Sequence, residues 1–413
     1  MIYQRRIYDK LKLHLSKKQY TIIVGARQTG KTTLLRQLFK ETEKTENSVP
    51  YYLSFEDLTL LNEINKDPEN IFKFANKIFE SHPNKKLYLF IDEVQYAENP
   101  SHFLKYLYDK YEEKIKITAT GSSAFYIDTK FKDSLSGRKR IFHLTHLNFP
   151  EYLIFNKKEE LSHELELIRN NNNYISAKRA DINYMFEEYL IFGGYPSVAL
   201  ETDLEEKVFL LKELKDSYLK KDIGEASVSY PGKFMQLMLL LSEQTGNLVN
   251  RNELSNSLRL DNKTVQSYLE VMQKSFHISL VQPFSRNKRK EISKMPKLYF
   301  QDLGMRNVLL NNFQAISARF DKGHILENYF FNRLSELYPP ENIKFWRTSS
   351  GNEVDFVVLD SFSKGKAFEI KYNAEKLSPK KYQIFTSNYP KIPLEFISYE
   401  NNKPEVSKNI LAV

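Results

Sequence analysis

The sequence predicts an α/β protein. A parallel sheet with helices on both faces is followed by a helical stretch, a helix-turn-helix-like stretch and a small α/β domain. Three observations carry this. Strand-like runs at 20–24, 50–55, 87–91, 115–120 and 141–147 alternate with helical stretches such as 68–80 and 100–110, the rhythm of a parallel sheet covered on both sides. A glycine-containing octet, Gly25-Ala26-Arg27-Gln28-Thr29-Gly30-Lys31-Thr32, joins the first run to a helix pattern with Leu34, Leu35 and Leu38 on one face. An acidic pair, Asp92-Glu93, closes the continuous apolar run Leu87–Ile91.

The octet follows G-x-x-x-x-G-K-S/T, the pattern of a phosphate-binding loop. Strand, glycine loop and helix place backbone N–H groups and a helix N-terminus around phosphates. Gly25 and Gly30 allow backbone angles that a side chain forbids. Residues Gly25 to Thr33 are therefore expected to bind ATP, with Lys31 reaching the β/γ-phosphates and the Thr32 hydroxyl on Mg²⁺. Asp92 is expected to hold the same Mg²⁺, and Glu93 to orient and polarise the attacking water. The run Ile115–Thr120 ends in Gly121-Ser122-Ser123. A hydroxyl there, Ser122 first, would contact the γ-phosphate or the water, although Ser and Gly are also ordinary turn residues. Gln95 lies two residues past Glu93 and reads either as a phosphate-region side chain or as a helix start.

Composition bounds the rest. At 413 residues the chain is too long for one core and predicts two to four domains. No apolar run reaches the length of a membrane span, and no secretory signal pattern is visible. The absence of cysteine excludes disulfides and thiolate metal sites and suits a cytoplasmic protein. The excess of 61 Lys+Arg over 52 Asp+Glu, a net charge of +9, permits a polyanion partner.

The expected organisation is a nucleotide-binding domain at 1–155, a helical lid at 156–230, a winged helix-turn-helix at 231–302 and a further domain at 303–413. The lid is broken by the turn Phe192-Gly193-Gly194-Tyr195-Pro196. In the winged-helix segment, Asn252–Leu258 and Thr264–Lys274 read as the helix pair, with Asp261 as N-cap between them. Ile278–Phe284 and Lys297–Phe300 read as wing strands around a basic tip at Arg286, Lys288, Arg289 and Lys290. Such a tip would contact DNA phosphates, or be a solvated hairpin on a packing module.

The last domain carries a second constellation. Glu327 sits in the helix pattern Ile325–Leu334, Asp355 in the strand pattern Asn352–Val358, and Glu369 and Lys371 in Ala367–Lys371. Alternation puts Glu369 and Lys371 on one face of their strand. Asp355 and Glu369 would then share a second divalent metal, Lys371 would activate water, and Glu327 would complete the site. The pattern resembles the PD-(D/E)xK nuclease core, without a proline before Asp355. Cleavage of nucleic acid and a degenerate binding domain both remain consistent with it.

Taken in order, these motifs resemble a bacterial and archaeal AAA-type ATPase family with a winged helix and a C-terminal DUF4143 domain. The carrying residues are 25–32, Phe90-Ile91-Asp92-Glu93-Val94-Gln95, Thr120–Ser123, Leu135-Ser136-Gly137-Arg138, Phe192–Pro196, Glu353–Phe356 and Glu369-Ile370-Lys371. The resemblance implies ATP binding and hydrolysis, and names no client. It also implies that Arg138 faces nucleotide as a finger arginine. From the residues alone, Arg138 reads equally as part of the basic cluster with Lys139 and Arg140. The alternative is a nucleotide-gated switch or DNA-binding protein with little turnover and an inactive nuclease-like domain. ATP, DNA or another polyanion, a protein client and self-association are the expected partners; no membrane is.

Overall fold

Continuous apolar strands need cover on both faces, and in this chain they receive it. A computed structural model describes residues 3–80, 85–122, 135, 137–171, 174–226, 228–285, 294–361, 364–401 and 403–413. It falls into two compact units, one reaching to His146 and including Lys274–Phe276, the other built from Leu147–Gln273 and His277–Val413.

In the first unit, β1 (Tyr20–Val24), β2 (Ser48–Ser54), β3 (Lys86–Asp92), β4 (Ile115–Gly121) and β5 (Lys139–His143) form a sheet ordered β2-β3-β4-β1-β5. Every pairing in it is parallel. The predicted α/β class and its parallel sheet are therefore present. Side-chain alternation splits the core in two. Ile22, Val24, Leu89 and Ile91 pack with Leu60, Ile64, Leu104 and Leu107, from helices Leu58–Lys66 and Pro100–Tyr111. Ile23 and Phe90 point the other way, onto Leu34, Leu35 and Leu38 of helix Lys31–Glu43 and Leu11 of helix Tyr8–His14. The fifth strand ends at His143, earlier than the apolar run to 147 suggests. The chain stays beside β1 for one further bond, Leu144 N to Val24 O at 2.7 Å.

The second unit begins with helices, among them Arg179–Phe192 and Leu204–Glu225. The Gly193-Gly194 turn has a packing reason. Gly193 has φ +76, and a Cβ there would lie 2.3 Å from Asp302 Oδ1. Asp302 Oδ2 accepts from Gly194 N at 2.7 Å and Oδ1 from Met305 N at 2.8 Å. Burial pushes this carboxyl up to about 6, against the pull of those backbone donors.

Helices Pro231–Glu243, Arg251–Leu258 and Asn262–Lys274 share one apolar core with the antiparallel pair β6 (Ile278–Val281) and β7 (Lys297–Phe300). Asp261 Oδ1 accepts from Lys263 N and Thr264 N, both at 2.9 Å, and so starts the last of these helices. The basic run 286–290 lies outside the described residues.

A five-stranded mixed sheet ends the chain. β8 (Ile343–Arg347), β9 (Glu353–Ser361), β10 (Lys364–Asn373), β11 (Leu394–Glu400) and β12 (Lys408–Asn409) are ordered β12-β11-β10-β9-β8. β8, β9 and β10 pair antiparallel, while β10, β11 and β12 pair parallel. Helix Lys322–Leu337 packs on this sheet, with Phe330 against Phe356 and Phe368 at ring separations of 6.0 and 5.3 Å.

Candidate functional site

The loop after β1 is shaped by its glycines. A Cβ on Gly25 would sit 2.1 Å from the Leu144 carbonyl oxygen, so any larger residue would push the loop off the sheet. Gln28 and Gly30 are left-handed, with φ of 54 and 95, and Gly30 is the N-cap of helix Lys31–Glu43. The first helical amides therefore face the loop rather than a side-chain cap. Thr29 Oγ1 donates to Ala26 O at 2.8 Å. The buried Lys31 ammonium folds over the loop, donating to Gly25 O at 3.0 Å and Ala26 O at 2.8 Å. Thr32 and Thr33 follow in the first helical turn, half-buried and exposed respectively.

β3 delivers Asp92 to the same edge of the sheet, because β1, β3 and β4 run parallel. Asp92 Oδ2 accepts from Tyr52 at 2.9 Å, and Oδ1 accepts from Thr120. Glu93 is left-handed, with φ 55 and ψ 51, a conformation that costs a non-glycine residue energy and clusters at functional sites. Its N–H donates to Thr120 Oγ1 at 3.0 Å. The buried Gln95 donates to the Glu93 carboxylate and to Ser122 Oγ, the latter at 2.9 Å. Gln95 Oε1 is itself buried without a hydrogen-bond partner among the described residues. Ser123 lies outside them.

Arg138 is a correction within this chain. Its carbonyl accepts from Tyr20 N at 2.8 Å, at the first residue of β1, and its Nε donates to Asp109 Oδ1 at 2.6 Å. The octet follows the other end of that strand, about 13 Å away at the usual strand rise. Parallel strand direction thus puts Arg138 on the edge opposite Lys31, in a partly exposed ion pair. Arg5 takes a place that no motif signals. Its buried guanidinium donates to Thr29 O and Thr145 O, each at 2.8 Å, and so ties the octet to the chain beyond β5. Read as a sequence, it is one of several basic residues in an N-terminal helix.

The C-terminal constellation does assemble. Ile370 N donates to Asp355 Oδ2 at 2.8 Å, and Asp355 N donates to Glu369 Oε2 at 3.4 Å. Lys371 and Tyr382 both donate to Glu369 Oε1. Glu327 reaches the cluster from its helix. Burial, then the Asp355 charge, push the Glu369 carboxyl up. Burial also raises Glu327, against the pull of Lys297. Lys297, on β7, is the member that sequence reading missed. Its buried ammonium lies 2.8 Å from Glu327, 2.5 Å from Glu353 and 3.8 Å from Asp355. Burial alone would lower its pKa; the three carboxylates raise it instead. Asp355 and Glu369, the two residues expected to share a divalent ion, do come together, with Lys371 on Glu369 and Lys297 3.8 Å from Asp355. Among the described residues, no set of three or more His, Cys, Asp or Glu side chains is arranged to hold a metal.

Three family models match successive parts of the chain. One, described as an AAA domain, matches residues 17–153; a domain of unknown function, DUF8612, matches 183–315; a second, DUF4143, matches 322–413. The chain joins an AAA domain to a C-terminal DUF4143 domain. The AAA match supports nucleotide binding by residues 17–153. Relatives are similar along most of its length. An uncharacterized protein of Methanocaldococcus jannaschii is 28% identical over 84% of this chain and 74% of its own. Uncharacterized proteins of Haemophilus influenzae and Mycobacterium tuberculosis are 27% and 23% identical, over 85% and 90% of this chain and 80% and 74% of theirs. Among solved structures, the Aeropyrum pernix ORC2 protein in its ADPNP-ADP complexes is similar at 14% identity and a TM-score of 0.42, over 77% of this chain and 96% of that one. Among the described residues, no helix is long and apolar enough to cross a membrane.

Proposed function

We propose that the AAA domain binds Mg²⁺-ATP on Gly25–Thr33 and hydrolyses it, and that nucleotide state is coupled to the segments that follow. One observation carries the reading. A glycine-shaped loop with the Lys31 ammonium folded over it and a side-chain-braced Asp92-Glu93 pair end at the same sheet edge. The donor set suits a triphosphate. The loop is narrow at Gly25, the helix N-terminus lacks a side-chain cap, and the Lys31 ammonium lies over the loop.

In this reading Lys31 leaves the Gly25 and Ala26 carbonyls for the phosphate oxygens. Thr32 and Asp92 would hold Mg²⁺, which would supply positive charge to the bound triphosphate. Glu93 orients a water and takes its proton, while Gln95, itself bonded to Ser122 Oγ, holds that carboxylate in place. The test is nucleotide binding and phosphate release by the full chain. Lys31→Ala is expected to lose both; a variant that keeps them removes this site assignment.

The segment 231–302 is read as a winged helix that binds DNA or a similar polyanion weakly. Its support is the Asp261-capped helix, together with the basic run Arg286, Lys288, Arg289 and Lys290 between β6 and β7. Neutralising these four should flatten the dependence of log affinity on log salt, by roughly one for each phosphate that is no longer neutralised. An unchanged slope in the quadruple variant removes the DNA reading.

A further inference from the structure

We propose that the carboxylate cluster of the DUF4143 domain is a metal-free ion-pair lock, in which the Lys297 ammonium holds the place that a divalent cation takes in a nuclease centre. The cluster contains the residue types of such a centre, and two of its carboxylates converge through backbone bonds. What differs is the cation. Lys297 lies within ion-pair distance of Glu327, Glu353 and Asp355 at once, from a helix and a strand of the C-terminal sheet.

Backbone pairing holds that ammonium in place. β7 pairs with β6, with Val281 opposite Lys297. On the other side Leu298 O accepts from Gly246 N at 2.8 Å, and Leu298 N donates to Asn247 O at 3.1 Å. A bridge joins Leu248 to Lys297 itself. A strand held on both sides fixes the backbone from which Lys297 enters the cluster.

The carboxylate oxygens are also engaged. Glu327 Oε1 accepts from both Lys297 and Tyr299, at 2.8 and 2.6 Å. Glu369 Oε1 accepts from Lys371 and Tyr382. Glu353 Oε2 is paired with Arg347 at 3.1 Å. Lys297, Lys371 and Arg347 thus face the four carboxylates, and each carboxylate already accepts from at least one N–H or O–H donor. Mg²⁺ requires oxygens close around it in near-octahedral geometry. Such an ion would have to displace those donors and sit beside a tethered positive charge in a buried, low-dielectric site, where like charges repel strongly. The structural consequence is a tie between β7, helix Lys322–Leu337 and β9. The functional consequence is that phosphodiester cleavage by a metal held in this cluster is excluded while Lys297 is in place.

The test is titration of Mn²⁺ into the nucleotide-free full chain, with Asp355→Asn identifying any binding that belongs to the cluster. Wild type is expected to show no Mn²⁺ binding that Asp355→Asn abolishes. Lys297→Met is expected to gain such binding and to lose it again with Asp355→Asn. Lys297→Arg, which keeps the charge, is expected to gain none. Wild-type binding that Asp355→Asn abolishes would overturn the proposal. So would a folded Lys297→Met that gains no Mn²⁺ site. Where Lys297→Met fails to fold, the wild-type and Asp355→Asn titrations still decide. The test uses no nucleotide, so its result is independent of the ATPase reading.

Discussion

Glu93→Gln is expected to slow ATP hydrolysis by about 10²- to 10⁴-fold, the usual contribution of a positioned general base, while nucleotide binding persists. The substitution keeps the shape of the side chain and the left-handed backbone at this residue. It removes the charge that accepts the proton of water. It also replaces the acceptor of the Gln95 amide by another amide, which can still pair. Binding should therefore survive, because Lys31 and the loop amides are untouched. Phosphate release and nucleotide affinity, measured side by side, check this. A wild-type rate too small for the variant to reduce would favour the nucleotide-gated switch. A normal rate in the variant would take Glu93 out of the chemistry.

Asp321→Asn is expected to destabilise the second unit by more than about 0–1 kcal/mol, the range of an exposed pair, and by less than about 3–5 kcal/mol, that of a fully buried one, because the Asp321 side chain is 25% exposed. Asp321 Oδ2 lies 2.7 Å from both Arg306 Nη1 and Arg319 Nη2. Its Oδ1 accepts from Arg319 Nε at 2.8 Å. Both guanidiniums are almost wholly buried, at 1% and 2% exposure. Removing the shared carboxylate leaves two positive charges in the core. The loss is a measurable part of a typical domain stability of about 5–15 kcal/mol. The single tryptophan, Trp346, lies in the core of the C-terminal sheet, so its fluorescence during urea unfolding reports this unit. A shift of only about 0–1 kcal/mol, as for an exposed pair, would contradict the assignment.

The pH dependence has a defined sign. Burial would raise the Asp321 carboxyl, but Arg319 and Arg306 override it and hold the group below its ordinary value of 3.8. Its stabilisation is complete above that value and is lost only as pH falls through the lower folded value. Wild type should show this acid limb in the Trp346 transition, and Asp321→Asn should lack it.

The sequence by itself determined the first unit's plan and its nucleotide-site candidates. Strand, octet and helix are contiguous at 20–43, so their geometry follows from local rules. Asp92 and Glu93 sit at the end of a strand whose unbroken apolar run already signals burial on both faces. The acidic and basic residues of the C-terminal cluster were legible for a similar reason. Glu369 and Lys371 are two apart on one strand, and Asp355 is on its hairpin partner.

Tertiary structure alone decided the rest. Arg138 and the octet flank opposite ends of neighbouring parallel strands, and only the sheet order reveals that these ends lie far apart. Arg5 joins the octet through backbone carbonyls, which carry no sequence pattern. Lys297 stands 30 residues before Glu327, at the start of a short apolar strand, where a lysine reads as a solvated strand end. Its charge is tolerated in the core only because three carboxylates, brought from helix and sheet by long-range packing, converge on the same point.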